Sequence, residues 1–263
     1  MMKMKKVKLT KQTKIILAVI ALLLVGLITY KGVQYYKLQQ EISRGRAYLK
    51  QLDDQSLSNI KNTIDKQNES DELALGKQAL KDYEKNKDKL WGAFKNYVLI
   101  GDSRVESFKQ FLPETNVLAK KGTRITKVDD YLGTIKNISP KYVFISYGVN
   151  DLSIPAYYNQ DKYIEVYQSY CEKIKKVAPD ATIYVNSIIP VNDKAINKQA
   201  NYKNIPSYNA KLKAMCKKNG YKYVDLDALA KQHPDEYEQD GIHFKSSFYK
   251  YWAYRLLSSV YGG

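Results

Sequence analysis

Tyr97-Val98-Leu99-Ile100-Gly101-Asp102-Ser103 reads as a buried strand that ends in a turn. Its apolar run shows no polar alternation, so both faces of the strand must be covered. Gly101 permits a tight turn, and Ser103 follows where a helix would begin. The arrangement recurs downstream. Tyr142-Val143-Phe144-Ile145-Ser146-Tyr147 runs into Gly148-Val149-Asn150-Asp151, and Thr182-Ile183-Tyr184-Val185-Asn186-Ser187 is another strong run. Asn116-Val117-Leu118-Ala119 and Tyr221-Lys222-Tyr223-Val224-Asp225 complete five predicted strands. Helical patterns over Ile125–Ile138, Tyr163–Val177, Ile205–Asn219 and Ser247–Val260 separate or follow them. Strands alternating with helices predict an α/β fold, a five-stranded parallel sheet with helices on both faces. In such sheets ligands bind outside the carboxyl ends of the strands.

Three of the segments at or beyond those ends carry chemistry. Ser103 lies at a strand-to-helix turn, which suits a nucleophile whose own N–H helps to hold an oxyanion. The plainer reading of Asp102-Ser103 is a cap on the short helix Arg104–Phe111. Asn150 is placed to donate its side-chain N–H to a developing oxyanion, although Gly148-Val149-Asn150-Asp151 also has the composition of an ordinary turn. Gly122, after the second strand, can offer a backbone N–H to the same hole. Asp240-Gly241-Ile242-His243 supplies a base and, three residues before it, a carboxylate to orient that base. His233 is the other histidine, in a polar stretch with no strand end beside it, so His243 is the candidate base.

These blocks, in this order, resemble the SGNH (GDSL-type) hydrolase superfamily: Gly101-Asp102-Ser103 the first, Gly122 the second, Gly148-x-Asn150-Asp151 the third and Asp240-x-x-His243 the last. The resemblance covers about residues 96–260. It implies a three-layer α/β/α sandwich of flavodoxin-like type. It implies Ser103 as nucleophile, His243 as general base and then acid, and Asp240 as the residue that orients it. The implied oxyanion hole is the N–H of Ser103, the N–H of Gly122 and the side chain of Asn150, with no metal or cofactor. Arg104 departs from the leucine usual after the serine; it lies outside the implied catalytic set and is expected to add positive charge at the rim of the site. The implied activity is a serine esterase, or an O-acyltransferase if a sugar hydroxyl outcompetes water. Tethered relatives point to O-acetyl groups of cell-envelope glycans, with lipid or thioester hydrolysis and a non-catalytic glycan-binding module as alternatives. Tyr147, Tyr157, Tyr158 and Tyr163 could stack on sugars, but ordinary packing is preferred. The loop Pro190–Asn204 is expected on the same edge as the site, where it could select substrate.

The N-terminus supplies the setting. Lys3, Lys5, Lys6, Lys8, Lys11 and Lys14 precede an uncharged run from Ile15 to Tyr30. Counting residues 15–33 as the span, with flanking lysines snorkelling, gives about the length needed to cross a bilayer. Lysines concentrated before the span predict a cytoplasmic tail (residues 1–14) and an outward-facing remainder. No small-x-small cleavage site follows the run, which favours a retained signal anchor over a cleaved signal peptide. Residues 34–95 are polar, with Leu38, Ile42, Leu49, Leu52, Leu57, Ile60 and Ile64 at loosely helical spacing. They are expected to form a helical stalk or extension, broken at Ser70-Asp71-Glu72 before a second helix, Glu72–Lys87, with the hydrolase domain at residues 96–263. Net charge is +16, suited to an anionic surface or polymer. An outward-facing domain argues against nucleic acid, and any membrane acyltransferase partner is unspecified. Cys171 and Cys216 both fall in helical stretches and are expected to be free buried thiols; two histidines are too few for a metal site built with them.

Overall fold

A computed structural model describes residues 10–262 of the chain; the lysines from Lys3 to Lys8 lie outside them. The described residues form two units, 10–68 and 69–262, of which the second holds the sheet. Five parallel strands make it: β1 (Tyr97–Gly101), β2 (Val117–Ala119), β3 (Tyr142–Ser146), β4 (Thr182–Asn186) and β5 (Lys222–Val224). They lie in the order β2-β1-β3-β4-β5. This is the flavodoxin-like doubly wound order, whose direction reverses between β1 and β3. The expected fold class is therefore the observed one. Gly101 pairs with Ala119 on one side and Ser146 on the other, so the three strands end level.

The period-two alternation of side chains explains the layers. Val98 and Ile100 of β1, Val143 and Ile145 of β3, and Ile183 and Val185 of β4 belong to one core. It is closed by Ile135 of α4 (Val128–Ile138), Tyr167 and Ile174 of α5 (Gln160–Val177), and Leu212 and Met215 of α7 (Ile205–Asn219). Leu99, Phe144, Tyr184 and Val224 point into the other core. There Phe248, Trp252 and Leu256 of α9 (Phe248–Tyr261) cover them, with Phe108. Cys171 and Cys216 are free and buried in the first core.

Two expectations about residues 34–95 are corrected. The helix α1 spans Lys11–Lys81, with no break at Ser70-Asp71-Glu72 and no separate helix over Glu72–Lys87. Ser and Asp favour caps only where the backbone has reason to leave the helix, and partners further along the chain hold this segment in it. Glu72 accepts from Asn96 Nδ2 at 2.8 Å and from the Tyr261 hydroxyl at 3.2 Å, and Lys141 reaches Glu69 at 3.1 Å. The compact unit also begins at Glu69, well before the change of pattern at Asn96. Ala79, Tyr83, Leu90 and Phe94 are buried in the second core, Leu90 from the short helix α2 (Lys89–Gly92).

In the other unit the apolar run is helical, and its large side chains, such as Leu22 and Ile28, are exposed all round. That stretch of α1 is long and apolar enough to cross a membrane. Leu38, Ile42, Leu49, Leu52, Leu57, Ile60 and Ile64 are exposed as well.

Candidate active site

The site is assembled where the sheet changes direction. β1 hands directly to α3 (Ser103–Glu106) through Asp102, whose extended backbone and side chain cap the helix. The Asp102 carboxylate accepts the N–H of Arg104 at 3.0 Å. The plainer reading of Asp102 is therefore correct, and it leaves Ser103 in the first turn of α3. An N–H there has no helix carbonyl to pair with and is directed outward. Gly101 is needed for a close approach. A Cβ there would lie 2.6 Å from the carbonyl oxygen of Ser146 on β3 and 2.3 Å from the Val105 side chain.

Ser103 Oγ is 2.7 Å from His243 Nε2, across 140 residues of chain. His243 Nδ1 is 2.5 Å from Asp240 Oδ2. Asp240 Oδ1 meanwhile accepts the N–H groups of Ile242 at 2.8 Å and His243 at 2.9 Å. One carboxylate thus shapes the turn and orients the ring. The network assigns the ring proton to Nδ1 and leaves the lone pair of Nε2 facing the serine. Partial burial works to raise the Asp240 carboxyl; the hydrogen bond to the His243 ring and the two N–H groups outweigh it and hold it at about 2. His233 instead stacks on the Tyr251 ring, with centroids 3.9 Å apart.

Asn150 follows β3 and reaches across to the loop after β2. Its Nδ2 donates to the Thr123 carbonyl at 2.9 Å, which leaves the second N–H of the amide free to serve another acceptor. Gly122 precedes Thr123, with φ of 75°. The loop is fixed further by Asp151, whose Oδ1 accepts the Ile125 N–H at 3.1 Å, and by Arg124, whose Nε donates to the Asn150 carbonyl at 3.4 Å. Asp151 is fully buried, and burial pushes its carboxyl up to about 7, against the Ile125 N–H and Arg124. Sequence reasoning singled out neither Arg124 nor Thr123; their only signal was a position after a strand end.

The structure brings Ser103, His243 and Asp240 into one hydrogen-bonded line, and ties Asn150 to the loop that carries Gly122. It does not put Arg104 at the rim. Arg104 is only 3% exposed. Its Nη1 donates to the Ile189 carbonyl at 2.7 Å, its guanidinium lies 5.6 Å from the centre of the Phe244 ring, and Nε and Nη2 have no partner among the described residues. Burial lowers its pKa, with Asp102 opposing. Of the four tyrosines weighed for sugar stacking, Tyr147 and Tyr163 are buried in the core, Tyr157 is half-buried and Tyr158 is exposed. Within the loop Pro190–Asn204, Asn192 donates its N–H to the Gly241 carbonyl at 3.0 Å, and Lys194 reaches the Gln239 carbonyl at 2.6 Å. That loop braces the Asp240–His243 turn.

The family model of the GDSL-like Lipase/Acylhydrolase family matches residues 101–251, more than half of the chain. The chain belongs to this family. Solved structures agree on the fold of this GDSL-like hydrolase. A GDSL-like lipase from Bacteroides thetaiotaomicron superposes with a TM-score of 0.52 at 18% identity, covering 69% of this chain and 96% of that one. The lipase/acylhydrolase from Enterococcus faecalis superposes with a TM-score of 0.50 at 15% identity, covering 64% and 96%. No curated protein sequence matches the chain significantly. Membership of the family makes the chain an SGNH-type hydrolase of the esterase class.

Proposed function

We propose that this hydrolase is a membrane-anchored, extracytoplasmic serine esterase acting on O-acetyl groups of cell-envelope glycans. The observation that carries the chemistry is the line Ser103 Oγ–His243 Nε2–Asp240, with spacings of 2.7 and 2.5 Å. Ser103 Oγ attacks the ester carbonyl carbon while its proton passes to His243 Nε2. The resulting imidazolium is held by the Asp240 carboxylate. The tetrahedral oxyanion accepts from the N–H of Ser103, the N–H of Gly122 and the Asn150 amide. Collapse breaks the ester C–O bond, and His243 gives its proton to the departing sugar oxygen, which leaves as a hydroxyl. A water then attacks the acetyl-Ser103 carbonyl, gives a proton to His243, and the second collapse releases acetate and restores the serine. If a second sugar hydroxyl takes the place of that water, the same steps transfer the acetyl group.

The apolar helix over residues 15–33 supports the anchor, and the lysines that precede it support an outward-facing domain. Glycan substrates fit an enzyme working in that compartment.

The test uses the full chain in detergent micelles. Expected results are labelling of Ser103 by a fluorophosphonate probe, cleavage of p-nitrophenyl acetate, and acetate release from acetylated envelope polymers. A folded protein that does not label, or one that labels equally well as Ser103→Ala, sinks the reading. Acetate found on added sugar acceptors instead of in water would make the enzyme a transferase.

A further inference from the structure

Beside the candidate oxyanion donors lies an open pocket of about 270 Å³ lined by Gly122, Thr123, Arg124, Thr126, Lys127 and Asp130. Two hydrogen bonds tie its lining to the candidate oxyanion donor Asn150: Asn150 Nδ2 to the Thr123 carbonyl, and Arg124 Nε to the Asn150 carbonyl. The segment 120–127 carries Lys120, Lys121, Arg124 and Lys127 and no acid. Lys127 is ion-paired with Asp130, so those two charges offset each other. Lys120, Lys121 and Arg124 are exposed and make no ion pair among the described residues. With Nε committed to Asn150, the Arg124 guanidinium still has its two terminal nitrogens to offer. A planar fork of that kind matches a carboxylate or phosphate.

We propose that this pocket is a subsite for an anionic group on the acylated polymer, held by Arg124, with the exposed Lys120 and Lys121 earlier in the same loop but outside the pocket's lining. This rests on the esterase reading and narrows its substrate: the acetyl ester sits on a glycan that bears a carboxylate or phosphate close to the scissile bond. Arg124 then does two things. It fixes the loop that presents Gly122, and it places the substrate's charged group at a set distance from the oxyanion donors.

Binding is measured apart from catalysis. The full-length Ser103→Ala protein in detergent micelles is titrated with polygalacturonate, with a glycerol-phosphate polymer and with neutral xylan, at an ionic strength of about 0.15 M. One anionic polymer is expected to bind about tenfold more tightly than xylan, and Arg124→Gln to raise its Kd about fivefold to tenfold. The polymer that shows this dependence says whether carboxylate or phosphate is taken. Lys176 is an exposed residue in the last turn of α5, at the opposite edge of the sheet, so Lys176→Gln removes the same charge elsewhere. It is expected to change Kd less than about twofold. Equal effects of the two substitutions, or no preference over xylan, would overturn the subsite, because only the net charge would then matter. In the active protein, Arg124→Gln should lower the ratio of kcat/KM for acetylated polygalacturonate or the acetylated phosphate polymer to that for acetylated xylan. Failure of the esterase reading appears separately, as an unlabelled Ser103.

Discussion

At the residue scale two carboxyls of the site, Asp151 and Asp240, titrate in opposite senses, and each makes a separate prediction. Burial raises Asp151 to about 7, above an ordinary carboxyl near 4. The folded chain therefore holds a proton there that the unfolded chain has lost between about pH 4 and 7, and this linkage takes stability away as pH rises through that window. The Tm of wild type relative to Asp151→Asn is expected to fall from pH 4 to pH 7 and to level off above it; a difference that stays flat across the window would refute the burial argument. Asp240 is held low, at about 2. Its ionisation supports the fold fully above about pH 4 and ceases to do so as pH drops toward 2. Across neutral pH it stays an acceptor for the His243 ring. Asp240→Asn keeps the size of the side chain but removes the charge opposite the imidazolium. It should lower kcat on p-nitrophenyl acetate by about three to four orders of magnitude, with a smaller effect on KM. Ser103, Asn150, Asp240 and His243 could be read from the chain because each stands at a strand end or helix entry, positions that local pattern reveals. The destination of Arg104 could not. A charged side chain after Ser103 reads as solvent-facing, and only the packing of Phe244 and the Ile189 carbonyl around it makes burial the outcome.

At the element scale, strand β1 and helix α3 act as one unit, because the turn between them must pass close to β3. The Ser146 carbonyl oxygen, 2.6 Å from where a Gly101 Cβ would stand, is part of the sheet and cannot turn aside as a flexible side chain can. Gly101→Ala should therefore destabilise the fold by about 1–3 kcal/mol, an overpacking cost, and shift Ser103 relative to His243. Thermal melting and the rate of fluorophosphonate labelling measure the two effects; a variant that melts and labels like wild type would show that the turn has slack. The elements themselves were legible wherever hydrophobic periodicity was strong. Continuous apolar runs marked β1, β3 and β4, and even the three-residue strands β2 and β5 fell inside their predicted runs. The 70–72 segment was misread because its signal was a cap without a Gly or Pro to end the preceding helix. What decides that segment is the pairing of Glu72 with Asn96 and Tyr261, 24 and 189 residues away.

At the scale of the whole molecule, the functional boundary follows burial. Residues 69–88 have the polar, lysine-rich composition of the segment before them, so composition alone left open whether they belong to a stalk or to a helical extension of the domain. Yet Ala79 and Tyr83 are buried in the core beneath α9, Tyr83 lies 4.3 Å from the ring of Tyr254, and Glu72 bonds Tyr261 near the end of that helix. Helix α9 in turn carries Tyr249, whose hydroxyl donates to the Arg104 carbonyl at 2.9 Å, one residue from Ser103. Removing residues 69–88 would strip one side of α9, and α9 packs against the turn that holds the candidate nucleophile. A chain beginning at Glu69 should therefore melt in one cooperative transition, remain in the soluble fraction and keep the fluorophosphonate reactivity of the full chain. A chain beginning at Lys89 should lose about 3 kcal/mol or more through the exposed aromatic surface, which for a domain of this size lowers Tm by about 6–12 °C. The loss of labelling should track the loss of structure, because the contacts removed are packing contacts and none of the reacting groups is among them. Equal melting temperatures for the two chains would return residues 69–88 to the stalk and detach α9 from the support assigned to it.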